Sequence, residues 1–321
     1  MRKSVIFIFA LASIIEIRAD EKKPPHELDY CHPDLCTKPK TKHLACGHSG
    51  EFDEGCDPKA VIHRINTKLK HLILTKHNNM RSQLAMGLRH FTPAKRMATM
   101  RWSSELAFLA ELNVKRCSME RSKCIGTVRY PHVGQNLAYN MFRDEQNVTA
   151  IVSSQINMWF QEYMKADMGS ILTGKIPLHI EHFGEIKHFL QMARDRADRV
   201  GCAIAQYPLV DVWHVQSLTC VYNVGVDDCY PIYASSAVGG KSCLTGMSTQ
   251  YPFLCNVGEK YDYIICPSEK FMGLPKALSK PSPCNPLASS AVTQKSSLLE
   301  NIRTWYNAQS RTGDENKDTK C

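Results

Sequence analysis

Fourteen cysteines constrain this 321-residue chain more than any other feature, and all of them lie between Cys31 and Cys321. They follow a start, "MRKSVIFIFALASIIEIRAD", in which Arg2 and Lys3 precede an apolar run from Ser4 to Ile15 and a small residue, Ala19. That layout is a secretory signal peptide, predicted over residues 1–19. A membrane anchor would need about 18–20 apolar residues, and the run is shorter. No later stretch is long and apolar enough to span a bilayer, so a soluble, extracellular protein without a transmembrane segment is expected. An even cysteine count behind a secretory start predicts disulfides formed in an oxidising compartment. Zinc binding by the cysteines fits less well, because the closest spacing is Cys31-x4-Cys36 and no C-x-x-C pair occurs. The sequon Asn147-Val148-Thr149 predicts a glycan in the same compartment.

Three regions follow the leader. Residues 20–60 carry Cys31, Cys36, Cys46 and Cys56 among Pro, Gly, Lys and His, with little apolar periodicity; they read as a disulfide-rich extension. Residues 61–225 carry the periodic signals. Ile65, Leu69, Leu72, Ile73, Met80 and Leu84 recur at helical spacing up to Gly87, a C-terminal stop. A second helix starts at Ser104, with Leu106, Leu109, Ala110, Val114 and Cys117 on one face and Glu105 in its first turn. A third covers about 149–163, with Val152, Ile156, Trp159, Phe160 and Tyr163 on one stripe. A fourth, highly charged, is predicted over 187–197, and "RDRADR" (194–199) reads as a solvated helix face. The period then changes to two: "GCAIAQY" (201–207) and "HVQSLTCVYNV" (214–224) read as strands that Cys202 and Cys220 could staple. Helices followed by an antiparallel pair imply a layered α+β domain. Residues 226–321 hold Cys229, Cys243, Cys255, Cys266, Cys284 and Cys321 thinly spread in an irregular extension. A capping box, Ser297 and Glu300, precedes Ile302, Trp305 and Tyr306, and the polar end is expected to be partly disordered.

A net charge of +9 is modest and scattered, with no Lys/Arg block interleaved with aromatics, so nucleic acid is not an expected partner. No G-x-S-x-G elbow supports a serine hydrolase. The stretch "RYPHVGQNLAYN" (129–140) gathers His132, Gln135 and Asn136 around Gly134 and reads as a polar loop of a candidate site, with Gly134 making the turn and Asn136 bonding backbone.

"HNNMRSQLAMG" (77–87), "MRWSSELAFLAELNVKRC" (100–117), "VGQNLAY" (133–139), "MWFQEY" (158–163), "IKHFLQMARDRADRVGC" (186–202) and "LTCVYN" (218–223) together resemble the CAP superfamily, and within it the insect antigen-5, venom-allergen-like branch. "DYCHPDLC" (29–36) and "YPFLC" (251–255) resemble segments flanking the domain in that branch. The resemblance implies an α-β-α sandwich with the N-terminal disulfide-rich and irregular C-terminal extensions. It also implies the pairings Cys31–Cys46, Cys36–Cys124, Cys56–Cys117 and Cys202–Cys220. Cys243–Cys255 is a further guess, and Cys229, Cys266, Cys284 and Cys321 are left without a guide.

Many members of that family carry a cleft with two His and two acidic residues, suited to a divalent cation. The resemblance maps the second His to His188 and the second acid to Glu162. The first His position holds Arg121 and the first acid position Gln135. Arg121 repels a cation, and a Gln amide is a poor zinc ligand. His132 could substitute for the missing His, or be a surface loop residue. Met192-Ala193 stands where the family commonly has an aliphatic residue and a Trp. The alternatives for Arg121, Gln135, Glu162 and His188 are a buried Glu162–His188–Arg121 ion pair, a degenerate ligand-binding cleft, or residual metal chemistry. His77 is expected in a helix packing or polar-network role, and Trp102, Trp159 and Trp213 in the core or at its edge.

The expected function is that of a secreted, non-enzymatic CAP protein, with no cofactor, no metal and no catalytic residue. It would bind a secreted protein or receptor, or a small lipid or sterol, in reproduction (seminal fluid), saliva or venom, or defence. Met80, Met86, Met158 and Met164 would line either an apolar channel or the core. The alternatives are a divalent-metal-dependent hydrolase using the cleft, and a partner-docking role for residues 226–321.

Overall fold

The structure is a computed structural model, and it describes residues 29–36, 40–144, 146–174, 186–210, 212–226 and 231–261. The leader, the helix expected near Ser297–Tyr306, and Cys229, Cys266, Cys284 and Cys321 lie outside those residues.

In chain order the elements are β1 (Val61–His63), α1 (Thr67–Gly87), β2 (Arg101–Trp102), α2 (Ser104–Val114), β3 (Gly134–Phe142), α3 (Val148–Gln161), α4 (Met168–Thr173), α5 (Lys187–Ala193), β4 (Arg199–Val210) and β5 (Trp213–Tyr222). The helix starts are set by side-chain caps. Asn66 accepts from the Leu69 amide at 2.9 Å to start α1, and Ser103 accepts from Leu106 to start α2. Asn147, the sequon residue, accepts from the amides of Thr149 and Ala150 to start α3.

The strands form one sheet in the order β1-β4-β5-β3, each neighbouring pair antiparallel, with β2 pairing parallel to β4. Alternation along β4 sends Val200, Cys202 and Ile204 to one face and Ala203 and Ala205 to the other. On the first face they meet Ile73 and Leu84 of α1, Ile156 and Trp159 of α3, and Phe189 and Leu190 of α5. On the second they meet Leu106, Leu109, Ala110 and Val114 of α2. The architecture is the α-β-α sandwich. α2 lies so close to β4 that a Cβ on Gly201 would come within 2.0 Å of the Ala107 nitrogen, so only glycine fits there.

Among the described residues five disulfides pin this frame: Cys31–Cys46, Cys36–Cys124 and Cys56–Cys117 tie the N-terminal extension to itself and to the domain, Cys202–Cys220 joins directly opposed residues of β4 and β5, and Cys243–Cys255 closes a loop after the sheet.

Three sequence expectations are corrected. The fourth helix ends at Ala193 and not at 197. "RDRADR" is not a solvated helix face: Arg194 is 1% exposed, Asp195 is 7% exposed, and Arg199 begins β4. Arg194 donates to the Pro231 carbonyl at 2.8 Å, and the Asp195 carboxylate lies 3.8 Å from the Arg196 guanidinium. "GQNLAYN" is not a loop but most of β3, paired with β5 from Gly134↔Tyr222 to Phe142↔His214. Gly134 therefore makes no turn. It is glycine because a Cβ there would come within 1.9 Å of the Gln191 side chain.

Residues 231–261 belong to the same core. Ile232, Tyr233, Tyr251 and Leu254 are buried among the α1, α3 and α5 side chains. Glu259 pairs with Arg96 at 2.7 Å, and Tyr261 lies beneath the Arg96 guanidinium, 4.6 Å from its ring centre.

Candidate functional site

The site is built where α3 ends and α5 begins, against the first residues of β3. Glu162 follows α3 directly. Its Oε2 accepts the backbone N–H of His188 (2.9 Å) and of Phe189 (3.0 Å), and its Oε1 meets His188 Nδ1 at 2.6 Å. A carboxylate at that distance requires the proton on Nδ1, so the neutral imidazole presents its lone pair at Nε2. Trp159, one helical turn before Glu162, stacks on His188 at 5.9 Å and donates its indole N–H to the Leu137 carbonyl of β3 at 3.2 Å. Both side chains of the pair keep some access to solvent, His188 21% and Glu162 16%.

A second network lies behind it. Asn136 of β3 donates to the His188 carbonyl (3.0 Å) and to the Tyr222 hydroxyl (3.3 Å), and Tyr222 meets His77 Nε2 at 2.9 Å. His77 Nδ1 faces the Ile73 carbonyl at 2.8 Å, which fixes the tautomer: Nδ1–H donates and Nε2 accepts from Tyr222. Complete burial pulls the His77 pKa down to about 4 and raises that of Tyr222, so both are neutral. His77 occupies the polar-network role and lies beneath the site, not in it.

Gln135 and Arg121 do not complete a tetrad. The Gln135 amide is turned onto the Ser122 backbone, accepting from its N–H at 3.1 Å and donating to its C=O at 2.9 Å. Arg121 Nε donates to the Gln135 carbonyl at 3.0 Å. Partial desolvation lowers the Arg121 pKa while the Glu162 charge raises it, which places the guanidinium within electrostatic range of that carboxylate. Among the described residues no Arg121–Glu162 ion pair forms: Glu162 is hydrogen-bonded to His188 instead. The expected three-membered buried pair is thus corrected to two partly exposed members with a flanking cation.

His132 precedes β3 and lines, with Gln135, Ser122 and Gly225, a hollow of about 260 Å³. None of the four methionines considered for a channel lines the hollows around His43–Glu54, Ser122–Val133 or Cys56–Cys117. Met86 and Met164 are exposed, while Met80 packs against the core. Trp102 packs partly buried under Lys70, and Trp213 at the sheet's end carries Arg143 over its ring at 4.3 Å. The sequence did not point to Cys243, Cys255 and Glu259, whose sulfur and oxygen atoms cluster closely enough for a metal. Both sulfurs are in a disulfide, and Glu259 is engaged by Arg96, Leu244 and Thr245, so no ligand set exists there.

The model of the CAP, or cysteine-rich secretory protein, family matches residues 74–222. The chain is 40% identical over 187 residues to antigen 5 like allergen Cul n 1 of Culicoides nubeculosus, covering 56% of this chain and 84% of that protein. It is 32% identical over 234 residues to venom allergen-1 of Aedes aegypti, covering 72% of this chain and 89% of that protein. The chain belongs to the CAP family. Among solved structures, NaASP2 with Zn2+ aligns at 20% identity over 63% of this chain and all of that one, with a TM-score of 0.46. The antigen-5 likeness read from "VGQNLAY" and "IKHFLQM" is thus that of an antigen-5-like CAP domain.

Whether a CAP cleft of this composition fits a divalent cation is decided by its donors. Glu162 has both oxygens engaged by three N–H groups, Gln135 is held on Ser122, and Arg121 adds a fixed positive charge. One imidazole nitrogen, His188 Nε2, is left. The residues present do not fit a tightly held metal.

Proposed function

We propose that this CAP protein is secreted, acts by binding and is not an enzyme, with the cleft bordered by Arg121, Gln135, Glu162 and His188 as its ligand site. The observation that carries the reading is the Glu162–His188 pair itself. It is internally satisfied and flanked by a cation, so it offers neither an open metal position nor an activated nucleophile. The same observation disfavours a metal-dependent hydrolase. Secretion is supported by the cationic-apolar start, by the disulfides and by the name of the family. The partners this reading allows are a secreted protein or receptor, or a small lipid, in a venom-, saliva-, defence- or reproduction-related fluid. Asn147 fits a glycan: its Oδ1 caps α3, and the amide nitrogen that would carry the sugar is on an exposed residue.

Native mass spectrometry of the protein purified from its own secretion tests this. A mass carrying a glycan and a co-purifying small molecule or partner, the latter lost on His188→Ala, is expected. A homogeneous bare chain that turns over an ester or peptide in a metal-dependent way would overturn it.

A further inference from the structure

The cleft places a fixed cation near its one carboxylate, unlike a cation site. Glu162 accepts three N–H groups, from the His188 ring and from the His188 and Phe189 backbone, so most of its acceptor capacity is used within the fold. Arg121 uses only Nε, on the Gln135 carbonyl, and its four terminal N–H donors have no partner among the described residues. His188 Nε2 likewise has none, and its lone pair accepts a proton donor. Two complementary groups thus border the same carboxylate: a guanidinium that wants an anionic oxygen and an imidazole nitrogen that wants an O–H.

We propose that this cleft binds a hydroxylated oxyanion, with an anionic oxygen on the Arg121 guanidinium and a neighbouring O–H donated to His188 Nε2. A hydrogen phosphate and an α-hydroxycarboxylate share that chemistry. Arg121 suits it because a guanidinium presents paired N–H donors to a planar or tetrahedral oxyanion. Its Nε bond to β3 and the Trp159 stack on His188 hold the two groups in place before the ligand arrives, which limits the entropy lost on binding. The inference rests on the proposed ligand-binding role of this cleft and names its ligand class.

The test is an NMR titration of the full secreted chain with inorganic phosphate, glycolate and acetate, following the His188 ring Cε1–H correlation, assigned by its loss in His188→Gln. Saturable shifts with phosphate or glycolate are expected, and whichever of the two saturates identifies the source of the oxyanion. Affinity should fall at least tenfold in Arg121→Gln, with partial recovery in Arg121→Lys. Acetate, lacking the hydroxyl, should bind at least tenfold more weakly than glycolate. Melting curves that match wild type show that Arg121→Gln is folded. Shifts that never saturate, that survive Arg121→Gln, or that acetate reproduces would overturn the oxyanion assignment. Zinc added to the same sample separates this failure from that of the binding role. Micromolar zinc binding at His188 refutes the non-metal reading as a whole, whereas absence of both responses refutes only the oxyanion.

Discussion

Replacing Arg81 with Leu should be among the most damaging single changes in the domain, and its size can be worked from the contacts. Arg81 is 1% exposed on α1 and donates five hydrogen bonds to four carbonyls: Ala98 twice, Met192, Arg194 and Asp195, at 2.7–3.3 Å. Those carbonyls belong to the segment before β2, to the last turn of α5 and to the residues that follow it. Each buried carbonyl left unpaired costs about 1–3 kcal/mol, so four set an upper bound of about 12 kcal/mol. Opposing this, the guanidinium no longer has to be buried; desolvation there is strong enough to pull its pKa down to about 10. Breaking a buried charged network by removing one partner typically nets about 3–5 kcal/mol. At an m-value of about 2 kcal/mol/M that is a urea midpoint lowered by roughly 1.5–2.5 M with the disulfides intact. The carbonyls of Met192 and Arg194 also fix the end of α5, whose first turn carries His188. Amide exchange across Phe189–Ala193 should therefore accelerate in the variant. A midpoint shift below about 0.5 M would refute the reasoning, since it would mean that the four carbonyls find other partners at little cost.

Gln135→Glu should destabilise by about 1–3 kcal/mol at neutral pH, because a carboxylate oxygen would face the Ser122 carbonyl that Gln135 now donates to. The loss should shrink when urea unfolding is repeated near pH 4, where a protonated acid can donate again. His77, held neutral with its pKa near 4 against an ordinary 6.5, binds a proton in the unfolded chain before the folded one. Its contribution, on the order of 3 kcal/mol, is present above about pH 6.5 and lost as pH falls toward 4; denaturation from pH 7.5 to 4 should show that slope, and His77→Gln should flatten it. Truncation after Val226 should abolish a cooperative calorimetric transition, because Ile232, Tyr233, Tyr251 and Leu254 leave the core.

How much was legible in the sequence differs from element to element for physical reasons. α1, α2 and α3 announced themselves because their apolar faces repeat at helical spacing and their caps are local. β3 did not, because Gln135, Asn136 and Asn140 break its alternation. Asn136 is fully buried, and its amide N–H groups donate to His188 and Tyr222, partners far along the chain. Arg194 and Asp195 misled in the same way: as letters they read as solvent-facing, and only the tertiary structure shows the Pro231 carbonyl that meets Arg194 and the burial of both. The identities of the cleft residues Arg121, Gln135, Glu162 and His188 were legible through family resemblance. Their rotamers were not. That Gln135 turns to the Ser122 backbone, and that Arg121 flanks Glu162 without pairing to it, depends on how residues 118–125 lie along β3.

The central claim is that a cleft bordered by Arg121, Gln135, Glu162 and His188 does not hold a metal, and isothermal titration with zinc addresses it most directly. The wild-type chain and Gln135→Glu should show no saturable heat in the micromolar range, because Arg121 opposes the ion in both and Glu162 is already engaged. Micromolar zinc binding by either protein, abolished by His188→Ala, would contradict the account.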